Sequence, residues 1–511
     1  MPQGEATRQP DNWTTQQPNN PQTSHMRPII LFFLLTLSFP VLGQNPKLLN
    51  QPDLGYRGIW YSNEPSNDEY VYKYSGGLGT YPANHYPFSI YVKEVNKTFF
   101  CYGGADPSGN TLLHMVSYFD HKTGMVPRPT IVLDKETDNA HDNPVMNIDA
   151  EGYIWIFSTA HGTNSPAYIS RSKKPYDISA FEFIQATKEV KGQTVPMDNF
   201  SYLQSWYQPE KGFLNLFTHY ERKVIPGQPS KPRRTIGFMR STDGIHYSEW
   251  KDLAAISEGH YQTSGMKGNT LGTAFNYHPI KEGVNGLNFR TNLYYLETRD
   301  FGDSWQTAAG EKVRLPVTEI QAPALVAEYE SKGLLVYIND LTYDEKGRPV
   351  IVFVTSKGYE AGPEKGPRTW HTARFTGSEW EILPVTESDN NYDMGSLYID
   401  AKGEWRIIGP TSTGPQPYNT GGEMVLWLSK DQGKTWKSKI MTAGSERNHS
   451  YARRPVHVHP DFFAFWADGH GREKSGSQLY FSDKKGKVFL LPPVMKSDFS
   501  KPVQIKPKSR K

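Results

Sequence analysis

The segment Ser429-Lys-Asp-Gln-Gly-Lys-Thr-Trp436 is a compact turn signal that recurs in this chain. Its aspartate can accept hydrogen bonds from backbone amides of the same turn, its glycine supplies a positive φ, and its tryptophan can pack beneath. Similar segments run from Ser241 to Trp250 and from Thr298 to Trp305. With the Asp-x-x-Gly turns at residues 149–152, 344–347 and 400–403, they recur at intervals of roughly 50 residues, which is typical of a β-propeller.

Short runs of β-branched and aromatic residues lie between these turns, and no long stretch holds a 3.6-residue period. The runs that predict strands are Ser89–Lys93, Thr98–Tyr102, Tyr153–Phe157, Phe213–Thr218, Leu293–Glu297, Leu334–Ile338, Val350–Thr355, Trp405–Ile408, Met424–Leu428 and Leu479–Ser482. We therefore predict an all-β chain, with a seven-bladed β-propeller over residues 50–490 at about 40–50 residues per blade, and a C-terminal tail over residues 491–511.

The composition excludes some classes of partner. The net charge of +3 favours neither nucleic acid nor an anionic membrane as the main partner. An aromatic fraction of 13% suits both strands and surfaces on which sugars stack. Cys101 is the only cysteine, so an internal disulfide and a multi-cysteine zinc site are both excluded.

The N-terminal residues predict export. Residues 1–25 are polar and rich in Gln, Asn, Pro and Thr, as in a disordered or untranslated extension. Residues 26–43 combine a basic start at Met26, a short apolar core and a small residue before Gln44, which is the pattern of a signal peptide. No lipobox cysteine follows, so we expect a secreted or periplasmic protein without a membrane anchor.

Two histidines lie at the ends of a predicted hairpin. His141 precedes the turn Asp149–Gly152 and His161 follows it at a similar distance. An antiparallel hairpin with arms of about equal length brings its outer ends together, so the two side chains are expected at one rim of the sheet. The spacing alone slightly favours two unrelated loop histidines.

Further polar and aromatic residues stand near the ends of predicted strands, where propellers carry their functional sites. They are His85, Asn143, Tyr202, Tyr207, Arg222, Arg234, His260, Tyr261, His278 and Arg453. The combination of His, Tyr and Arg suits β-elimination from a uronic acid. That reaction needs a cation for the carboxylate, a base at C5 and an acid at O4. Hydrolysis by two carboxylates fits less well, because few acidic residues stand at equivalent positions.

Three segments carry a family resemblance: Gly55-Tyr-Arg-Gly-Ile-Trp-Tyr61, Glu69–Tyr81 and Gly259-His-Tyr-Gln262. They resemble the BNR-4 repeat proteins of polysaccharide degradation, and the resemblance extends over nearly all of residues 50–490. Among these, the ulvan lyases of polysaccharide lyase family 25 are seven-bladed propellers with two active-site histidines 20 positions apart, as His141 and His161 are here.

The lyase resemblance implies roles for several residues. His141 and His161 would be catalytic, together with Tyr207 (or Tyr202) and Tyr261. Arg222 or Arg234 would bind the substrate carboxylate, and Asn143, Tyr202, His260 and Arg453 are further substrate-binding candidates. No cofactor is required for this chemistry. The lyases carry a structural zinc, and His278 matches one of its ligands, but the accompanying cysteines are missing here, and structural zinc or calcium stays an open expectation.

Related families leave alternatives for the activity. A propeller α-L-rhamnosidase family, which acts on rhamnose-glucuronate linkages, has a catalytic histidine on the opposite face, and His85 is the candidate for that position. A propeller dehydratase of ulvan oligosaccharides eliminates water from a terminal uronate. A glycan-binding propeller without catalysis is the third alternative. All of these imply a uronate-containing polysaccharide or oligosaccharide as the partner.

Overall fold

A computed structural model describes residues 46–508, except residues 80, 110, 163–164, 222–232 and 281–285. The predicted extension and signal peptide therefore lie outside the described residues. Within the described part, no helix has the length and apolar character needed to cross a membrane. The secondary structure there consists of strands and two 3₁₀ helices, Pro82–Asn84 and Pro363–Lys365, in agreement with the predicted all-β class.

The strands are numbered in chain order. Those before residue 200 are β1 (Leu48–Pro52), β2 (Trp60–Pro65), β3 (Tyr72–Gly77), β4 (Ser89–Val92), β5 (Lys97–Ala105), β6 (Leu112–Asp120), β7 (Val126–Pro127), β8 (Thr130–Asp134), β9 (Pro144–Ile148), β10 (Ile154–Ser158), β11 (Tyr168–Ser172), β12 (Phe181–Ile184), β13 (Thr187–Val190) and β14 (Gln193–Pro196). Those between residues 200 and 390 are β15 (Ser201–Gln208), β16 (Gly212–Glu221), β17 (Arg233–Ser241), β18 (His246–Tyr247), β19 (Lys251–Ala254), β20 (Gln262–Lys267), β21 (Thr270–Tyr277), β22 (Thr291–Thr298), β23 (Leu325–Ala327), β24 (Leu335–Tyr343), β25 (Pro349–Ser356), β26 (Arg368–Phe375) and β27 (Trp380–Ser388). The last are β28 (Ser396–Ile399), β29 (Trp405–Ser412), β30 (Glu423–Ser429), β31 (Lys437–Ile440), β32 (Asn448–Arg453), β33 (Ala464–Gly469), β34 (Leu479–Ser482), β35 (Val488–Leu490), β36 (Phe499–Ser500) and β37 (Val503–Ile505). Every run predicted as a strand overlaps one of these.

The sheets follow one another around a central axis, as in a β-propeller. Most sheets are four-stranded antiparallel meanders, such as β9 to β12 and β24 to β27. The first strands of neighbouring sheets contact each other in sequence, through β4, β9, β15, β20, β24 and β28. The ring closes where β32 contacts β29 on one side and β3 on the other. The propeller architecture predicted from the turn repeats is thus confirmed.

The predicted number of seven blades is wrong. Among the described residues, eight sheets have three to five strands. One of these sheets is not predicted by the sequence repeats. It has three strands: β13 and β14 form a hairpin, and β18 pairs with β13 in parallel. No residue of its two hairpin strands is fully buried and the strands have no apolar alternation, so the hairpin adds a sheet without adding a repeat signal.

The C-terminal residues also differ from the prediction of a tail. Strand β37 pairs with β35 as the outer strand of the last sheet, and β36 pairs with β7 near the first sheet. Residues 491–508 therefore connect the two ends of the ring. The backbone of Val456 forms hydrogen bonds of 2.9 Å with Ser89 and Tyr91, which join the last sheet to the first strand of the first.

The predicted turn signals have the expected geometry. Asp431 Oδ1 accepts a hydrogen bond from the Thr435 amide at 2.9 Å, and Ser429 Oγ accepts one from the Gly433 amide at 2.9 Å. Gly433 has a φ of +86°, which explains why glycine occupies this position. The turn at residues 429–436 connects β30 and β31, the two outer strands of its sheet.

Candidate active site

The hairpin of β9 and β10 brings the two predicted histidines together. Its register pairs Pro144 with Ser158 at the open end, so His141 and His161 leave the sheet side by side. Their imidazole rings stack with centroids 4.1 Å apart and planes 12° apart. The prediction that the hairpin places both histidines at one rim is confirmed.

The surroundings of the pair fix its orientation. His141 Nδ1 lies 2.7 Å from Asn139 Oδ1, and because that oxygen can only accept, Nδ1 donates and the lone pair is on Nε2. The His161 amide donates to Asp142 Oδ1 at 2.7 Å, and Ser165 donates to the other oxygen of that carboxylate at 2.7 Å. The buried carboxylate of Asp142 therefore fixes the loops that carry the two rings.

Tyrosine rings surround the histidine pair. Tyr202, at the start of β15, lies edge-on to both histidines, with centroid distances of 6.4 Å to His141 and 6.0 Å to His161. Tyr261 lies 5.5 Å from Tyr202, and Tyr220 lies 6.3 Å from His161. The Tyr202 backbone has a φ of +50°, an uncommon conformation for a residue with a large side chain. A strained backbone in a cluster of polar rings is typical of a functional site.

Arg234 provides a cation beside this cluster. It lies near the start of β17, is 6% exposed, and one of its guanidinium nitrogens lies 3.4 Å from Glu258 Oε1. The same nitrogen donates to His278 Nδ1 at 3.2 Å. The contact with Glu258 is long for a charge-assisted hydrogen bond, so the guanidinium can exchange this carboxylate for that of a ligand.

Sequence reasoning missed two further cations and their aromatic neighbours. The guanidinium of Arg290 lies 4.6 Å from the ring centroid of Tyr261, and its Nη2 donates to the Tyr392 hydroxyl at 3.3 Å. Tyr81 lies 5.3 Å from Tyr261 and 5.8 Å from His141. Lys73 is 5% exposed and donates to Glu64 at 2.7 Å. The sequence could have indicated Lys73 and Tyr81 only by their position, because both lie in the tyrosine-rich segment that carries the family resemblance.

The electrostatics of the site keep His141 and His161 neutral and Tyr202 protonated. Burial, and then the positive charge of Arg234, lower the pKa of His161 to about 4. Burial, then repulsion from His161 and His85, hold the pKa of His141 well below its usual value. Burial, and then the neighbouring Tyr261, raise the pKa of Tyr202 well above its usual value. At neutral pH the site therefore combines imidazole lone pairs with phenolic hydroxyl donors.

Three predicted site residues lie away from this cluster. Tyr207 is near the far end of β15 from Tyr202, where its hydroxyl accepts a hydrogen bond from the Ala150 amide at 3.1 Å. His260 Nε2 accepts a hydrogen bond from the Ile256 amide, and its Nδ1 donates one to the Asn276 carbonyl. Both ring nitrogens are therefore used to hold the backbone. Arg453 donates to the Asn339 carbonyl and lies over Tyr86. Arg222 lies outside the described residues.

His85 belongs to the same cluster as the histidine pair. Its ring centroid is 5.3 Å from that of Tyr202, and Asn143 Nδ2 lies 3.4 Å from its Nδ1. The expectation that His85 occupies an opposite face is therefore wrong. His85 and Asn143 are both fully buried, and a Cβ on Gly79 would lie 1.5 Å from Asn143 Oδ1. The pair forms the packed floor of the site.

The surroundings of His278 do not fit the structural zinc implied by the resemblance. Its Nδ1 already receives a hydrogen bond from the cationic Arg234, and positive charge next to a ligand opposes metal binding. Among the described residues, the sole group of three or more possible ligands is at His121, His459 and Asp461, and it does not include His278.

Comparisons with known proteins agree with this architecture. A family model described as BNR repeat-containing family member matches residues 120–388, which is more than half of the chain. An ulvan lyase (PL25) of Pseudoalteromonas sp. (strain PLSV) is 25% identical over 337 residues, which cover 59% of this chain and 62% of that protein. An ulvan lyase of Alteromonas sp. (strain LOR) is 25% identical over 360 residues, which cover 64% of this chain and 68% of that protein. The chain thus matches less than two thirds of the first relative.

Solved structures show the same fold. The structure of a PL25 ulvan lyase bound to -[GlcA(1-4)Rha3S]- superimposes with a TM-score of 0.61 at 18% identity, covering 78% of this chain and 92% of that one. The polysaccharide lyase Uly1 gives a TM-score of 0.54 at 11% identity, covering 86% of this chain and 98% of that one. At these identities the likeness shows the fold alone.

Proposed function

The chain belongs to the BNR repeat-containing family, and on that premise we propose that it is a carbohydrate-active lyase. It acts by β-elimination at a uronic acid of a rhamnose-uronate, ulvan-like glycan. The observation that carries this proposal is the meeting of a stacked, neutral histidine pair with Tyr202 and Arg234. The two relatives described as ulvan lyases support the substrate class.

The first requirement of the reaction is a cation for the uronate carboxylate. Removal of the C5 proton places negative charge on C5 and the adjoining carboxylate, so a cation at the carboxylate stabilises the transition state. Arg234 supports this role because its positive charge acts on His161 and its contact with Glu258 is long at 3.4 Å. A guanidinium can bind a carboxylate through two parallel hydrogen bonds.

The second requirement is a base at C5. His161 is half-buried and neutral at physiological pH, because burial and Arg234 lower its pKa to about 4. C5 is bonded to the carboxylate carbon, so the base must stand next to the cation that binds the carboxylate. We assign the base to His161 for this reason, while His141, whose Nδ1 is fixed by Asn139, stacks on it and orients the ring.

The third requirement is an acid for the leaving oxygen O4. Tyr202 keeps its hydroxyl proton because burial raises its pKa well above the usual value, and its ring stands edge-on to both histidines. The C5–H electron pair forms the C4–C5 double bond as the C4–O4 bond breaks. His161 takes the C5 proton, and Tyr202 donates its own proton to O4. All of these transfers are within the chemistry of side chains, so the proposal requires no cofactor.

Two alternatives keep specific support. Arg290 and the tyrosines around it form a buried cluster of aromatic rings around a cation, a combination that also suits a non-catalytic glycan-binding site. A dehydratase would use the same base and acid and release water from C4 of a terminal uronate. A rhamnosidase has less support, since His85 is fully buried against the floor of the same site.

Incubation in water enriched in heavy oxygen, with products analysed before the hemiacetal oxygen exchanges, separates these reactions. Elimination between sugars takes no oxygen from solvent, so it yields shorter, unlabelled chains with an unsaturated uronate in mass spectra. A dehydratase yields an unsaturated uronate on a chain of unchanged length that has lost one water. Hydrolysis adds one labelled oxygen per cleaved bond. Shorter, unlabelled, unsaturated products support the lyase. Labelled products with free rhamnose would contradict it, and bound but unchanged glycan would indicate the binding protein.

Export completes the proposal. The apolar segment at residues 26–43 supports a secreted or periplasmic location, where a polysaccharide is accessible. In this proposal Met26 is the first residue of the signal peptide. N-terminal sequencing of protein recovered from the medium or periplasm should begin near Gln44. A full-length chain retained in the cytoplasm would contradict this.

A further inference from the structure

Two histidines and an aspartate meet outside the candidate active site, where the first sheet adjoins the last. His121 follows β6 of the first sheet directly. His459 and Asp461 stand in the connection from β32 to β33 of the last sheet, in a turn closed by the Phe462 amide, which donates to the His459 carbonyl at 3.1 Å. The three side chains are brought together by closure of the ring and not by any local sequence pattern.

The geometry of the three groups is that of a metal site. One ligand atom from each of His121, His459 and Asp461 lies within 4.8 Å of the others. The imidazole centroids of His121 and His459 are 3.7 Å apart, tilted by 43°. His459 Nδ1 lies 3.9 Å from Asp461 Oδ2 and accepts a hydrogen bond from the Asp461 amide at 3.2 Å, which an ion bound to this nitrogen would displace. Ligand atoms bound at about 2.0–2.2 Å from one tetrahedral zinc ion are roughly 3.4 Å apart, so the three side chains must move closer together to bind the ion.

The orientation of His121 favours metal binding. Its Nε2 lies 2.8 Å from the hydroxyl of Thr98, an oxygen that can accept the Nε2 proton and so leave the lone pair on Nδ1. That Nδ1 atom is buried and has no hydrogen-bond partner among the described residues. A histidine that donates through one ring nitrogen and keeps the lone pair of the other for the ion is the usual arrangement around a protein-bound metal.

The site is also accessible to solvent on the side of its carboxylate ligand. The carboxylate of Asp461 is 68% exposed, so water can reach the remaining coordination position.

We propose that His121, His459 and Asp461 bind a divalent transition metal, with zinc the best match to two imidazoles and one carboxylate. Because the ligands come from the first and last sheets, the ion joins the two ends of the ring. The site contains none of the residues assigned to catalysis, and it therefore has a structural role that does not depend on the proposed activity.

The test uses the tag-free mature chain, stripped with chelator and titrated with zinc by calorimetry, with thermal unfolding measured in parallel. Asp461→Asn is the main variant because its side chain is exposed and its loss should not prevent folding. Thr98→Val tests the orienting hydroxyl. His457→Gln is the matched control, an exposed histidine in the same connection that is not among the three ligands.

We expect one zinc ion per chain, with a rise in Tm that chelator reverses. Affinity should fall by about 10- to 100-fold in Thr98→Val, as for other residues that orient ligands, and by at least as much in Asp461→Asn, while His457→Gln binds like wild type. Absence of saturable binding to wild type, or equal binding by Asp461→Asn, would overturn the proposal. In that case the two imidazoles are a packing contact alone.

Discussion

The imidazole rings of His141 and His161 are stacked 4.1 Å apart at the open end of one hairpin. A proton on either ring repels a proton on the other, and this repulsion contributes to the low pKa of His141. Both rings are therefore neutral near pH 7. We infer that the pair functions as a unit, in which the charge of Arg234 acts on His161 and His141 stacks on the ring of His161.

Replacement of either histidine should abolish most of the activity. His161→Ala should lower kcat by about 10²- to 10⁴-fold, the range for loss of a general base, and His141→Ala should lower it by a similar factor because the ring of His161 loses its support. The double variant should be little worse than His161→Ala, since residues that act as a unit are not additive. His246→Ala, at an exposed Asp-box turn, is the control. Losses that multiply in the double variant would show that the two rings act independently.

The two tyrosines of β15 provide a matched pair of substitutions. Tyr202→Phe removes the proposed acid and should lower kcat by about 100-fold or more, with the circular dichroism spectrum unchanged. Tyr207→Phe removes only a hydrogen bond from the Ala150 amide at the other end of the strand, so activity should stay within about twofold of wild type, and stability should fall by about 1 kcal/mol. A larger loss of activity in Tyr207→Phe than in Tyr202→Phe would show that the active site lies at the other end of β15.

Arg234 should bind the negatively charged carboxylate of the substrate. Arg234→Lys keeps the charge but loses the two-pronged geometry, and kcat/KM should fall by about 10- to 100-fold, because a hydrogen bond between charged groups contributes about 1.5–3 kcal/mol. Binding of a carboxyl-reduced glycan should be nearly the same for wild type and variant. Glu258→Gln is the control for loss of the existing ion pair. An equal loss on the neutral glycan would indicate a packing role instead.

The acid limb of the pH profile should lie well below the usual range for histidine. The base must be neutral, and His161 becomes protonated only as the pH falls through its pKa of about 4. We expect kcat/KM to be steady as the pH falls from 7 to about 5, then to decrease with the protonated fraction below that. An acid limb near the unperturbed value of about 6.5 would show that the site is solvated and that burial does not control the base.

The sequence predicted what depends on local patterns. Every predicted strand and the Asp-box turns are present, and the hairpin pairing was enough to place His141 next to His161. The sequence did not predict the side-chain contacts that form only when the ring of sheets closes. Tyr81 and Arg290 meet at Tyr261 although far apart in the chain, and no periodicity relates them. The choice between Tyr202 and Tyr207 depended on which end of β15 faces the rim, which residue spacing does not determine.

The central claim is that this chain cleaves a uronate glycan by elimination at the histidine pair. The most direct measurement is the ultraviolet absorbance of the unsaturated uronate as purified mature protein acts on ulvan, with His161→Ala alongside it. We expect a steady rise for wild type and almost none for a folded His161→Ala protein. New reducing ends without any rise in absorbance, or an equal rise with both proteins, would contradict it.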